Sequence, residues 1–253
     1  MDLGLHDRVY IVTGGSKGLG RATAEALVAD GARVVISSRD AGNVERAAAD
    51  LGGDQRAVGI AADNTDPATP DRLVATAHEH FGRLDGALIS VGGPPAGPAT
   101  EITDEQWRSS FDTVFLGATR LARRLAGELD AGGSIAFVLS ASVREPLAGL
   151  SISNALRPGL AGLAKTLADE LGPYSIRVNG LLPGRLATDR VRELDARAGD
   201  EDEVRRQRSA SIPLRRYGNP AELGRVAAFV LSPAASYLTG VMLPVDGGAI
   251  RGF

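Results

Sequence analysis

Thr13-Gly14-Gly15-Ser16-Lys17-Gly18-Leu19-Gly20 is the stretch on which the fold turns, because of what stands on either side of it. Before it, Val9-Tyr10-Ile11-Val12 is a short apolar run of strand-forming residues; after it, Arg21 to Asp30 spaces its apolar residues as a helix does. Strand, glycine turn and helix in that order open a βαβ unit. Glycines there let the backbone turn tightly and come close to a ligand. The first N–H groups of the helix, at the positive end of its dipole, favour a pyrophosphate. In this setting the glycines predict a dinucleotide-binding site rather than an ordinary turn.

Outward from that unit, Val34 to Ile36, Ala87 to Ile89, Ile135 to Leu139, Ile176 to Val178 and Met242 to Val245 read as further buried strands, with helical stretches such as Leu160 to Leu171 between them. Apolar strands alternating with helices predict an α/β fold, a Rossmann-type doubly wound parallel sheet with helices on both faces. Thr103-Asp104-Glu105-Gln106 has the form of a capping box, and Asn219-Pro220-Ala221-Glu222 joins a cap, a first-turn proline and an acid. No repeat and no linker divides the chain, so residues 1–253 are expected to form a single domain. Within it, Arg185 to Gly218 is unusually charged, with Glu201-Asp202-Glu203 followed by Arg205, Arg206 and Arg208. This segment, 185–218, is either a solvated helical excursion or a lid over a substrate, since long excursions in compact domains are often functional.

Composition narrows the chemistry. With 43% hydrophobic and 23% charged residues, the 253-residue chain is ordinary globular material. Its 28 Lys+Arg against 31 Asp+Glu, a net charge of −3, give no basic field for nucleic acid or an anionic membrane, so a small molecule is the expected partner. The absence of cysteine excludes disulfides, thiolate metal sites and a cysteine nucleophile, and no clustered ligand set suggests a metal. Met1 to Tyr10 lacks the basic start and apolar core of a signal peptide, and no run nears the ~20 apolar residues that span a bilayer; a cytoplasmic location is expected.

The spacing of the glycine turn, Thr-Gly, three residues, then Gly-x-Gly, resembles that of the short-chain dehydrogenase/reductase family, and the likeness runs through nearly the whole chain. Asp63, followed by Asn64, stands where that family places an acid at the adenine ring, and Ser90-Val91-Gly92-Gly93 takes the place of its Asn-Ala-Gly-Gly turn. Ile176-Arg177-Val178-Asn179 with Pro183-Gly184 and Thr188 resembles the segment beside the nicotinamide, and Val245-Asp246-Gly247-Gly248 resembles the end of the last strand. The resemblance implies a nicotinamide cofactor held by Thr13, Gly14, Ser16, Lys17, Gly18, Leu19, Gly20, Ser38, Arg39, Asp63, Asn64, Ser90, Gly92, Arg157, Pro183, Gly184 and Thr188. It also implies a homodimer or homotetramer paired through helices around Trp107 to Leu129 and Leu156 to Leu171. Ser38 falls where an acid would bind a ribose 2′-OH, and Lys17 and Arg39 resemble the cations that meet a 2′-phosphate. NADPH/NADP+ is therefore expected over NADH, although Asp40 is close by.

The catalytic end departs from the pattern. The family's Ser, Tyr and Lys positions fall on Ser140, Ser153 and Arg157, and its Asn position on Val114. A phenol near pKa 10 is tuned toward neutral pH by a neighbouring cation, whereas an aliphatic hydroxyl is far less acidic and reaches less far. Ser153 is thus a poor direct substitute, while Arg157 keeps its charge and can donate to ribose hydroxyls. Ser140, Ser153 and Arg157 remain the candidate catalytic residues, with a bound water as proton source. Their structural alternatives are strand-end capping for Ser140 and an ion pair for Arg157. Pro158 is expected to kink the helix or to mark its start, and the stripe Leu156, Leu160, Leu163, Leu167 and Leu171 sets Ser153 and Arg157 off its apolar face. Tyr10, Tyr174, His6, His78 and His80 are expected to lie away from the site. The sequence leads to an NADPH-dependent oxidoreductase acting on a carbonyl or alcohol of a small organic molecule, overall similar to the 3-oxoacyl-carrier-protein reductases. The alternatives are an NADP(H)-binding sensor or assembly partner without redox turnover, and a dehydratase or isomerase.

Overall fold

Alternation along each strand sends neighbouring side chains to opposite faces, and the sheet is apolar on both. The structure, a computed structural model, describes residues 1–252. Its elements are β1 (Val9–Thr13), α1 (Gly18–Ala29), β2 (Arg33–Ser38), α2 (Ala41–Asp50), β3 (Ala57–Ala61), α3 (Thr69–Phe81) and β4 (Gly86–Ile89). There follow α4 (Asp104–Ser110), a π-helical segment (Phe111–Leu116), α5 (Gly117–Ala126), β5 (Ser134–Val138), α6 (Ser151–Leu171), β6 (Arg177–Pro183), α7 (Asp189–Ala196), α8 (Glu201–Ser211), α9 (Pro220–Leu231) and β7 (Met242–Val245). The strands form one parallel sheet in the order β3-β2-β1-β4-β5-β6-β7. Val9 and Ile11 pack with α3, α5 and α6 through Leu73, Leu121 and Leu160, while Tyr10 and Val12 pack with α1, α2 and α9 through Leu27, Val44 and Leu223. The order reverses direction between β1 and β4, which opens a crevice at their carboxyl ends.

All six expected strands are present. The seventh, β3, was not among the expected strands, although Ala57-Val58-Gly59-Ile60-Ala61 is apolar. Packing explains its central glycine, since a Cβ on Gly59 would stand 2.7 Å from the Val44 carbonyl oxygen of α2. The expected capping box forms at Thr103 with Gln106, and the expected cap at Asn219 forms a capping box with Glu222.

Two helix expectations are corrected. The helix expected at Trp107 to Leu129 begins earlier, at Asp104, ends at Ala126, and carries the π-helical turn in which Val114 is buried. The helix holding Ser153 neither starts nor breaks at Pro158; α6 runs unbroken from Ser151. Pro158 withholds only the N–H that Asn154 would accept, and tertiary anchors hold the first turns. Asn154 binds both Leu147 N–H (3.0 Å) and Leu147 C=O (2.9 Å) through its side chain, and Ser151 Oγ donates to the Gly97 carbonyl (2.8 Å). The buried face is also rotated from the leucine stripe: Leu156 and Leu163 are half-buried, whereas Ser153 and Arg157 are buried with Leu160 and Ala164.

The charged excursion leaves and rejoins the body at a two-stranded neck, where Ala187 N–H donates to Gly218 C=O (2.8 Å) and Gly218 N–H to Arg185 C=O (3.0 Å). It folds into α7 and α8 about one buried acid. Asp195, 2% exposed, accepts from Arg185 (3.0 Å), from Tyr217 Oη (2.8 Å) and from Arg208. Among the described residues no helix is long and apolar enough to cross a membrane.

Candidate active site

At the carboxyl edge of the sheet, β1 and β4 end side by side. Thr13 Oγ1 donates to the Ser90 carbonyl (2.7 Å) and accepts from the Ser90 N–H (2.8 Å), so these two residues lock the strand ends together across the crevice. The chain then turns at Gly14, with φ +62°, and closes so tightly that a Cβ on Gly20 would stand 2.4 Å from the Gly14 carbonyl oxygen. The side chains of Asp40 and Thr188 cap α2 and α7, which begin at the same edge; no side chain caps α1. Its first N–H groups are thus left for an outside acceptor, and beside them Gly92 has no atom within 4 Å of where a Cβ would be. This cradle fits the pyrophosphate of a dinucleotide.

The remaining expected contacts divide. Lys17 and Arg39 are exposed beside the turn, while the Asp40 carboxylate that would oppose a phosphate is engaged with the Asn43 N–H (2.7 Å). Ser38 donates to the Asp40 carbonyl (3.1 Å). Ser16 is half-buried in the turn, and Leu19 packs into the core beneath it. Asp63 is exposed and holds the Thr65 N–H and hydroxyl (both 2.9 Å), and the Asn64 carbonyl packs on Gly117. Gly184 donates to the Val245 carbonyl (3.0 Å) directly after Pro183, at the far side of the crevice. Thr188 leans on the glycine turn, its Cγ2 lying 3.8 Å from a Cβ built on Gly18. Arg177 and Asn179, however, sit at the amino end of β6 away from this edge, where they bind the Val230, Leu231, Ser232 and Leu238 carbonyls.

The candidate catalytic residues gather where β5 runs out. Ser140 Oγ accepts from the Ser142 N–H (3.1 Å), which makes it the cap of a single turn at Ala141–Val143 and leaves its own proton to donate. Ser142 Oγ in turn lies 3.3 Å from Ser153 Oγ. Four residues along α6, Arg157 Nη1 donates to the Val138 carbonyl at 2.7 Å. The ion pair considered for Arg157 is not formed: it is 6% exposed and has no carboxylate partner among the described residues. Burial, with a smaller push from the Arg190 charge, lowers its pKa to about 10, so it remains a cation at neutral pH. Its Nε and Nη2 have no hydrogen-bond partner among the described residues. The site brings together two hydroxyls, a third from Ser142, and an unsaturated guanidinium.

A family model described as "Enoyl-(Acyl carrier protein) reductase" matches residues 14–249. The human dehydrogenase/reductase SDR family member 4 is 34% identical over 248 residues, covering 96% of this chain and 88% of its own. The chain belongs to the short-chain dehydrogenase/reductase family. Among solved structures, a short-chain dehydrogenase/reductase from Brucella melitensis superposes with a TM-score of 0.93 at 30% identity, over 100% of both chains. The L-sorbose reductase of Gluconobacter frateurii, complexed with NADPH and L-sorbose, does so with a TM-score of 0.90 at 29% identity, again over 100% of both.

As a short-chain dehydrogenase/reductase, the chain is related to oxidoreductases on a nucleotide-binding Rossmann fold. The tyrosines and histidines expected to lie away from the site are exposed or engaged elsewhere. Tyr174 is exposed, His6 pairs with Asp7 and His78 with Glu128, and Tyr10 is buried at the amino end with its phenol pushed up by burial. Tyr217 was not considered from sequence, and its phenol is committed to Asp195. Two site residues escaped the sequence reading, Ser142 and Arg190. A serine two places after Ser140 was a visible signal for the first; nothing local marks the second, which crosses from α7 to donate to the Pro94 carbonyl at 2.6 Å.

Proposed function

We propose that this chain is an NADPH-dependent reductase or dehydrogenase acting on a carbonyl or alcohol of a small organic molecule, with Ser140, Ser153 and Arg157 in place of the usual Ser, Tyr and Lys. The observation that carries the cofactor choice is local: Lys17 and Arg39 are exposed beside an uncapped glycine turn, while the one nearby carboxylate, Asp40, is turned into the start of α2. Arg157 is read as the donor to the nicotinamide ribose, through the two nitrogens that the protein leaves unpaired. When bound, the cofactor supplies or accepts a hydride at the substrate carbon. Ser140 polarises the carbonyl oxygen, and the proton that completes the alcohol comes from water held by the Ser142 and Ser153 hydroxyls. Residues 185–218 act as the substrate lid, hinged at the neck between Leu186 and Gly218.

One observation favours a second reading, an NADP(H)-binding protein without turnover. The Ser153 hydroxyl is buried against Ser142, and no tyrosine is hydrogen-bonded to it among the described residues. Titrating the purified protein with NADPH and NADH in a calorimeter is the first test; Lys17→Ala and Arg39→Ala are each expected to weaken NADPH by about tenfold and leave NADH within about twofold. Equal affinity for both cofactors, unmoved by either substitution, would overturn the NADPH assignment. Deuterium from 4-deuterated NADPH appearing in an alcohol product then separates the enzyme from the sensor. The family expectation of a homo-oligomer is carried here by the half-exposed Phe111 beside Trp107 and Leu156, on a shallow apolar hollow of α4 and α6.

A further inference from the structure

Residues 185–218 are tied to the rest of the molecule unequally on the two sides of the crevice. Toward the last strand the ties are several. Leu214 N–H donates to the Gly247 carbonyl (3.3 Å), Arg216 gives two hydrogen bonds to Glu222 of α9 (both 2.7 Å), and a Cβ on Gly247 would stand 2.9 Å from Cγ2 of the buried Ile212. Toward residues 1–183 there is a single hydrogen bond among the described residues: Arg190 Nη2, on α7, donates to the Pro94 carbonyl at 2.6 Å.

That bond lies across the mouth of the cofactor cradle. α7 begins over the glycine turn, where Thr188 Cγ2 is 3.8 Å from a Cβ built on Gly18, and within its first turn it reaches the strap that follows β4. It thereby joins the wall after β1 to the wall after β4. Both partners of the bond are braced. Glu193, one turn along α7, stands 3.7 Å from Arg190 Nη1 and steadies the guanidinium by its other terminal nitrogen. The strap is stiffened by Pro94 and Pro95 and by the Gly97 N–H, which donates to the Gly149 carbonyl (2.7 Å). At Gly93 a Cβ would stand 2.7 Å from Arg190 Nε, so glycine there is the seat of the side chain.

Resting on the lid and cofactor reading above, we infer that Arg190 is the latch of the lid: a positioning residue whose bond to Pro94 holds α7 across the crevice and breaks each time a dinucleotide enters or leaves. A segment held by several contacts on one side and by one on the other turns about the many and opens at the one. Because a latch obstructs passage in both directions, its loss speeds entry and release alike and leaves the equilibrium nearly unchanged. Loss of a residue that only touches the cofactor speeds release alone.

The test is stopped-flow fluorescence of NADPH, with NADH in parallel because the latch acts on either dinucleotide. Arg190→Met is expected to raise the association and dissociation rate constants each by about tenfold, the loss of one charge-assisted hydrogen bond, with Kd within about threefold of the parent. Arg190→Lys, which still reaches a carbonyl, is expected to fall between the two. Gly93→Ala arrives at the same end with Arg190 intact, since the added methyl pushes aside the end of a flexible side chain; both rate constants should rise, and the double variant should be no faster than Arg190→Met. Hydrogen exchange is expected to quicken over residues 188–196 in each variant and to stay slow in β1 and β5. The inference is overturned if Arg190→Met leaves both rate constants within about twofold of the parent, if it accelerates release alone, or if the two substitutions act additively. A parent protein that binds neither NADPH nor NADH removes the cofactor reading and the latch together; binding with unmoved rate constants removes only the latch.

Discussion

Arg157 and Arg177 are both arginines buried against the sheet, both without a carboxylate, and both solvating backbone carbonyls, yet they stand at opposite ends of the strands. Arg177, the first residue of β6, gives its two terminal nitrogens to the carbonyls of Val230, Leu238, Leu231 and Ser232 at 2.8, 3.3, 3.3 and 2.9 Å. Arg157, beyond the end of β5, has one such acceptor, Val138. Burial lowers the pKa of each. The difference lies in saturation: Arg177, which makes four bonds from its two terminal nitrogens, ties α9 and the loop before β7 to the sheet, and Arg157, which makes one, keeps donors for a ligand. Burial alone does not separate structural from functional charge here; the count of unspent donors does.

The largest effect expected from this comparison is on stability, at Arg177. Replacing it with Met, of similar length, removes the guanidinium donors from four carbonyls, three of them in the α9 end at Val230 to Ser232, and leaves each with one other donor, from Ser134, Tyr10, Ala235 and Asn179. Loss of a buried charged hub is expected to cost about 3–5 kcal/mol in a urea denaturation series, with cofactor affinity of the folded protein unchanged. A loss under about 1 kcal/mol would mean that the remaining donors suffice for those carbonyls, and the comparison would lose its structural half.

Arg157→Met should invert that profile. The substitution leaves only the Val138 carbonyl unpaired and removes a charge whose burial is a standing cost, so stability is expected to stay within about 1–2 kcal/mol of the parent. NADPH affinity, in contrast, is expected to fall by about ten- to a hundredfold. The pH dependence has a definite sign. A base whose native pKa is lowered to about 10 from its ordinary value holds fewer protons when folded across that interval, so its contribution to stability rises with pH there. Binding that depends on the cation does the reverse: it is complete below about pH 10 and declines above it, and the decline should be missing from Arg157→Met. Parallel losses of stability and affinity in this variant would place Arg157 with Arg177 as a structural residue.

What the sequence could tell of this contrast depended on distance along the chain. The glycine turn, the apolar strands and both capping boxes are contiguous signals, and each is found where contiguity places it. The proline rule is contiguous too, but at Pro158 it competed with anchors from Leu147 and Gly97, and the long-range contacts prevailed. β3 was missed although its run is apolar; its central Gly59, which answers to the carbonyl of Val44, interrupts the strand-forming residues. The roles of Arg157 and Arg177 were beyond reach, since a donor is counted as spent only when its acceptor is known, and those acceptors lie 19 and 53 or more residues away. Arg190 reaches its acceptor across 96 residues and carries no local mark at all.

Ser142 offers the finest division between the two roles, and the smallest effect. It links Ser140, through its N–H, to Ser153, through its hydroxyl at 3.3 Å, so besides holding the proposed water with Ser153 it positions the two hydroxyls. Ser142→Ala keeps the N–H and removes the hydroxyl, at an expected cost of about 1 kcal/mol in stability. If Ser153 works through the hydrogen bond to Ser142, turnover should fall about three- to tenfold in kcat with KM nearly unchanged, and Ser153→Ala should add little once Ser142 is gone. A structural residue would show the same loss of stability with kcat intact and the two substitutions additive. The double-mutant cycle therefore assigns the serine pair to the reacting crevice or to the packing of α6, by the criterion that separates the two arginines: whether the group removed was already spent within the fold.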